Sequence, residues 1–144
     1  MKSKVTKAPR SLLSFLFPDA DPAAIAESIV GGRLNADALS RLRARLEMTI
    51  PELARLLGVS SRTVLRKEQR HGKLSPSEAD RAYRLARTAD GAIAAIGDQA
   101  KAVAWMRTPN AYLGGKTPLQ MLETEIGAEL VAESLQAIAY GGVA

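Results

Sequence analysis

The stretch Thr49–Arg70, TIPELARLLGVSSRTVLRKEQR, carries the clearest pattern of apolar and polar positions in the chain. Leu53, Ala54, Leu56 and Leu57 recur at helical spacing and predict a short amphipathic helix. Thr49 and Glu52 form a capping box at its start: the hydroxyl accepts from an orphan backbone N–H, and the carboxylate reaches back to the cap. Gly58 tolerates the positive φ that a sharp helix stop requires. Val59 plugs the turn, and Ser60 caps a second helix. In that helix Val64 and Leu65 are expected inward, and Arg62, Thr63, Arg66 and Lys67 outward. Ala54, Gly58 and Val64 stand at the spacing of a helix-turn-helix: a small residue for a close crossing, a glycine for the turn, and a β-branched residue packing the second helix back.

The same logic predicts helices on either side. Asp21 caps a helix that has Pro22 at its first position and runs to Val30, where Gly31 and Gly32 stop it. Asn35 caps Ala36–Leu46, with Leu39, Leu42 and Leu46 inward and Arg41 and Arg45 outward. Ser75 and Glu78 form a second capping box, opening a long helix whose stripe Ala79, Ala82, Ala86, Ala89, Ile93, Ile96 lets a neighbouring helix approach closely. Gly97 ends it, and Asp98 caps the next helix, which contains Val103, Trp105 and Met106. Thr108-Pro109-Asn110 is a break, and Thr117, Pro118 and Gln120 start a short helix. Gly127 is expected to separate that helix from a final one, Ala128–Ile138, with Leu130, Val131, Leu135 and Ile138 on one face. Leu12, Leu13, Phe15, Leu16 and Phe17 hold both phenylalanines; two roles stay open for them, packing on the adjacent domain or contact between protomers. Residues 1–10 are expected to be a disordered basic arm, and the ending Tyr140-Gly141-Gly142-Val143-Ala144 to be flexible unless a partner holds it. The fold class is all-α.

Composition agrees. Of the 144 residues 47% are hydrophobic but only 4% aromatic, so the core is built from Ala, Leu, Ile and Val. Such a mixture favours helices over sheets. The absence of cysteine removes disulfides and thiolate metal sites and fits a reducing cytoplasm. The single histidine, His71, argues against a histidine-based metal or triad site; at the end of the second helix it reads as a helix-terminal residue or a phosphate contact.

Charge changes the picture more. The net +5 divides into +1 over residues 1–32, +7 over 33–87 and −3 over 88–144. The positive charge therefore gathers around the helix-turn-helix, as nucleic-acid binding requires. Ser61, Arg62, Thr63, Arg66 and Lys67 supply what a reading helix uses in a major groove: Arg for guanine edges and phosphates, hydroxyls for phosphates or base edges. A solvated basic face on an ordinary helical hairpin is the plainer alternative. No apolar run approaches the ~20 residues that span a bilayer. The basic N-terminus followed by SLLSFLF is too short an apolar stretch for a signal peptide and meets no small-residue cleavage site. A cytoplasmic protein without membrane contact is expected.

Two tempting motifs fail. Gly114-Gly115-Lys116-Thr117 resembles a phosphate loop, but Asn110 stands where the first glycine is needed, and Pro118 removes an N–H from the helix start. Glu125, Glu129 and Glu133 are spaced four apart, which marks a solvated helix face; with Glu123 they make no metal site. No catalytic residue, metal site or cofactor is expected, and the chain is not expected to be an enzyme.

The string WMRTPNAYLGGKTPLQMLETEIGA from Trp105, followed by an apolar helix and Tyr140-Gly141, resembles the toxin-binding domain of Xre/MbcA/ParS-type antitoxins. Upstream, ELARLLGVSSRTVLRK and GKLSPSEADRAYRLAR resemble that family's helix-turn-helix part, so the likeness runs from Asn35 to the C-terminus. The resemblance implies an antitoxin of a type II toxin–antitoxin pair. Its partner would be a RES-domain or ParT-type toxin that degrades NAD or uses it for ADP-ribosyl transfer. The C-terminal domain would obstruct the toxin's NAD pocket, and the helix-turn-helix would repress its own operon as a homodimer. Trp105, Met106, Pro109, Leu113, Gly114, Gly115 and Pro118 would shape the toxin-binding domain, Trp105 as core. Lys116, Glu123, Glu125, Tyr140, Gly141 and Val143 would touch the toxin. The tail departs from the family's commoner ending, since Gly142 stands where a bulky residue is usual.

The expected organisation is an N-terminal arm and helix over 1–34 as a candidate dimer contact, a helix-turn-helix DNA-binding domain over 35–74, and a helical toxin-binding domain over 75–144. Operator DNA is expected to meet Ser60, Ser61, Arg62, Thr63, Arg66, Lys67, Arg70 and Lys73. Two rival roles remain at this level: a helix-turn-helix repressor with no toxin partner, and a helical adaptor whose helix-turn-helix contacts only protein.

Overall fold

The computed structural model describes residues 11–18 and 21–141. Among these the chain forms helices α1 (Leu13–Leu16), α2 (Pro22–Val30), α3 (Ala36–Arg45), α4 (Ile50–Leu57), α5 (Ser61–Gln69), α6 (Pro76–Ile96), α7 (Gln99–Met106), α8 (Pro118–Met121) and α9 (Glu125–Ala139). A 3-10 turn at Ala111–Leu113 lies between α7 and α8. Extended pairing among the described residues is limited to two isolated antiparallel bridges, Asn35 with Lys73 and Asn110 with Lys116.

The starts lie where cap chemistry places them. Side chains of Asp21, Asn35, Thr49, Ser60, Ser75, Asp98, Thr117 and Thr124 each accept from a first-turn N–H of the helix they precede. At Thr49, Ser75 and Thr117 the third helical residue answers back, completing capping boxes with Glu52, Glu78 and Gln120.

Helix α6 is the spine. It packs against α1, α2 and α4 toward the front of the chain and against α7 and α9 toward the rear. Ala79, Ala82, Leu85, Ala86, Ala89 and Ala92 are buried along it, and their small side chains let several helices approach one axis. The N-terminal apolar cluster packs on its own chain. Leu12, Leu16 and Phe17 are buried, and the Phe17 ring meets Tyr83 edge-on with centroids 6.0 Å apart. The Leu12 and Leu13 N–H groups donate to the two oxygens of Asp90 at 2.7 and 3.0 Å, which caps this segment from α6.

Two local expectations need correction. Gly127 does not separate two helices; it lies in the first turn of α9, which begins at Glu125. The position is close-packed: a Cβ there would stand 1.8 Å from the Met121 carbonyl oxygen. The glycine permits contact between α9 and the end of α8 rather than breaking a helix. Leu65 does not face inward either. It is 45% exposed, because α5 buries Val64 and a single apolar stripe suffices to dock so short a helix.

Candidate functional site

The front site is built on α5. Gly58, at φ 72°, is the left-handed C-cap of α4, and its N–H reaches the Ala54 and Arg55 carbonyls. The Arg81 guanidinium of α6 donates to the Leu56 carbonyl at 3.4 Å, closing the same helix end. Val59 packs against the core, and α5 starts at once from Ser60. Ser60 is occupied by this cap: it accepts from the Thr63 N–H at 3.1 Å, and its hydroxyl lies 2.9 Å from that of Thr63.

Val64, 3% exposed, anchors α5. On the opposite side Arg62, Leu65, Arg66 and Gln69 are exposed at i, i+3, i+4 and i+7 and share one face. Arg70 extends it. Arg62, Arg66 and Arg70 make no ion pair among the described residues. Lys67 differs: its ammonium is paired with the buried Glu78 and also donates to the Lys73 carbonyl at 3.4 Å. Lys67 was expected to point outward; at this position on α5 its side chain instead leans toward α6. Burial favours the protonated form of Glu78, but Lys67 and the Ser75 N–H outweigh it and hold the carboxyl below its ordinary value.

Other polar groups brace the helix. Glu68 receives Arg43 through two nitrogens at 3.1 and 3.4 Å, and the same guanidinium donates to the Met48 carbonyl. His71 takes a positive φ of 51° at the end of α5, and its Nδ1 lies 2.7 Å from Asp37. Lys73 is exposed, with its ammonium 3.5 Å from the Arg33 carbonyl. Ser61 and Thr63 are half-buried at the start of α5.

The rear residues fall into separate places. Met106, Leu113 and Pro118 are buried, Trp105 is half-buried against the core, and Pro109 is exposed in the loop. Gly114 and Gly115, at φ 69° and 84°, turn the chain after Leu113 into the Thr117 capping box. Lys116 and Glu123 line one cleft of about 170 Å³ with Arg107, Glu52 and Arg55. Arg107 donates to Glu52 at 3.0 Å across this cleft, tying the rear part to α4. Glu52 is buried enough to favour its protonated form, yet the Thr49 N–H and Arg107 prevail and lower its pKa.

Glu125 lies apart from that cleft. It receives Arg84 at 3.0 Å and Arg87 at 3.7 Å, and it edges an apolar groove of about 590 Å³ between α6 and α9. Gly91, Ala94, Ala128, Ala132 and Leu135 form much of its floor. Tyr140 is 90% exposed at the end of α9, and Gly141 follows at φ 83°. Val143 lies outside the described residues. Among the described residues no three His, Cys, Asp or Glu side chains gather as a metal site, and no helix is long and apolar enough to cross a membrane.

Leu65 and Gln69 on the exposed face of α5, and Arg107 in the cleft, were not among the residues the sequence singled out. A helical wheel centred opposite Val64 places the first two outward. No local signal announces Arg107, because its partner Glu52 is distant in the chain.

A helix-turn-helix followed by a second helical unit, sharing one long helix, defines the class. Residues 26–87 match the Antitoxin Xre-like helix-turn-helix domain, and residues 82–141 match the Antitoxin Xre/MbcA/ParS C-terminal toxin-binding domain. The chain belongs to the Xre/MbcA/ParS antitoxin family. It is 36% identical over 91 residues to Antitoxin Xre of Yersinia enterocolitica, a stretch covering 62% of each protein. It is 38% identical over 80 residues to Antitoxin Xre of Pseudomonas putida, covering 56% of this chain and 50% of that one. The match thus spans less than two thirds of these relatives' length. The fold is similar to that of a chain in the crystal structure of the M. tuberculosis MbcT–MbcA toxin–antitoxin complex. There the TM-score is 0.51 at 23% identity, over 81% of this chain and 95% of that one.

Proposed function

We propose that this chain is a non-enzymatic, cytoplasmic antitoxin that binds a RES/ParT-type, NAD-using toxin and represses its own operon as a homodimer. The observation that carries the proposal is a division of charge and role along one chain. The exposed guanidiniums of Arg62, Arg66 and Arg70 lie on α5 without ion-pair partners among the described residues, while Glu125, Glu129 and Glu133 are exposed along α9. The first face suits phosphates and guanine edges. The second, with Tyr140 and the segment after it, suits the cationic mouth of a pocket that holds a dinucleotide. Neutralisation would be steric: the rear part covers the toxin's cleft and displaces NAD. Repression would use two copies of α5 set one duplex turn apart, ~34 Å, on a pseudo-palindrome. Arg62 and Arg66 would contact bases or phosphates, Arg70 and Lys73 phosphates, and Ser61 and Thr63 the backbone at the helix start. Toxin contact would fall to Lys116, Glu123, Tyr140, Gly141 and Val143, with Glu125 adding its residual exposure.

Co-expression with the adjacent gene tests the reading: growth should be rescued and a complex recovered. Arg62→Ala should weaken binding to the upstream duplex about tenfold or more, the scale of one lost base contact, and leave rescue intact. Loss of both activities in a folded variant would overturn the division of labour. Failure to bind the neighbouring gene product would favour a repressor without a toxin partner.

A further inference from the structure

The reading face of α5 contains one side chain that neither phosphate contact nor hydrogen bonding explains. Leu65 stands 45% exposed between cations, on the same face as Arg62, Arg66 and Gln69 and away from the buried Val64. A leucine cannot bond a phosphate or a base edge. A major groove offers one prominent apolar feature, the C5 methyl of thymine. Arg62 and Arg66 complement guanine or phosphate, and Gln69 has the paired donor and acceptor that adenine presents. Leu65 complements the groove's apolar feature, the thymine methyl.

We propose that Leu65 is a specificity-determining residue that selects a thymine in each half-site by burying its side chain against the C5 methyl group. The inference rests on the DNA-binding reading above and adds to it the identity of one recognised base. Leu65 adds little to phosphate-driven affinity, because its contribution is independent of counterion release. Its effect is on discrimination.

The test uses the full chain and the duplex immediately upstream of its own coding sequence, narrowed by footprinting. Each thymine is replaced in turn by uracil, which deletes only the methyl group. At one thymine per half-site, uracil should weaken binding by the wild-type chain about fourfold, the ratio for one buried methyl-sized group. 5-Bromouracil, whose halogen occupies the methyl position, should restore it. Leu65→Ala and Leu65→Asn should bind thymine and uracil duplexes alike, with unchanged helical content and unchanged capture of the toxin. The inference is overturned if no single uracil affects the wild-type chain, or if the uracil penalty persists in both variants. If the wild-type chain ignores the duplex even at low salt, the DNA-binding reading itself fails, an outcome distinct from binding that is blind to the methyl.

Discussion

Two glycines on the helices that frame the apolar groove show how much depends on what lies next to one missing Cβ. At Gly127 a methyl group would meet the Met121 carbonyl oxygen at 1.8 Å and its carbon at 2.8 Å, and backbone cannot swing aside as a side chain can. Gly127→Ala should therefore cost about 3 kcal/mol or more in urea unfolding, the upper end of overpacking penalties. At Gly91, inside α6, the nearest atom to an added Cβ is Leu135 Cδ1 at 3.6 Å, an ordinary contact. Gly91→Ala should instead stabilise by roughly 0.5–1 kcal/mol, because alanine loses less backbone freedom in a helix. A mutant pair with the opposite signs would show that α8 and α9 are not packed as described. Neither sign is legible in the sequence. A glycine after a short helix reads as a stop, and only the carbonyl facing it reveals a packing residue. Leu65 misled for a related reason: apolar character says which side chains suit a core, while available neighbours decide which of them enter it.

Elements were far more legible, since helix starts are written locally. A hydroxyl followed three residues later by Glu or Gln identifies α4, α6 and α8 without tertiary information. What the local pattern could not show is that two of these caps also serve as long-range anchors. Glu52 receives Arg107, and Glu78 receives Lys67, besides closing their own helix starts. Both carboxyls have folded-state pKa values below the ordinary 4.5, despite the opposing effect of burial. The unfolded state then binds more protons as pH falls through that range. The stability these groups confer is complete above about 4.5 and is lost as pH falls through their lower folded values. A plot of melting temperature against pH should accordingly decline on the acid side. Glu78→Gln, which keeps a carbonyl acceptor for the Ser75 N–H but cannot ionise, should be less stable at neutral pH and show a shallower acid decline. An unchanged slope would mean that the Lys67 pair contributes nothing to the native state.

At the scale of the molecule, the change of charge along the chain and the long helix after Ser75 were legible, but the packing of both parts on that helix was not. Helix α6 carries contacts of both parts, and the matched family segments themselves overlap on it at residues 82–87. A second link, Arg107 to Glu52, joins the end of α7 to the start of α4, and the cleft beneath it is lined from both parts. Two units that share a buried spine cannot unfold one at a time without exposing the alanine stripe of α6, so unfolding should be a single cooperative transition. The chain supplies its own probe, because its one tryptophan, Trp105, lies in α7 and reports only the rear part. Far-UV ellipticity reports all helices, including α3–α5. The two signals should give coincident urea transitions in the wild-type chain. Arg107→Ala should shift both midpoints together, and a double-mutant cycle with Glu52→Gln should return a coupling of about 0.5–1 kcal/mol, the range for a partly exposed pair in contact. If tryptophan fluorescence instead moves before ellipticity, the rear part unfolds independently, and the two parts are joined by chain connection alone. Coincidence would mean that whatever stabilises the rear half also stabilises the scaffold on which α5 is held.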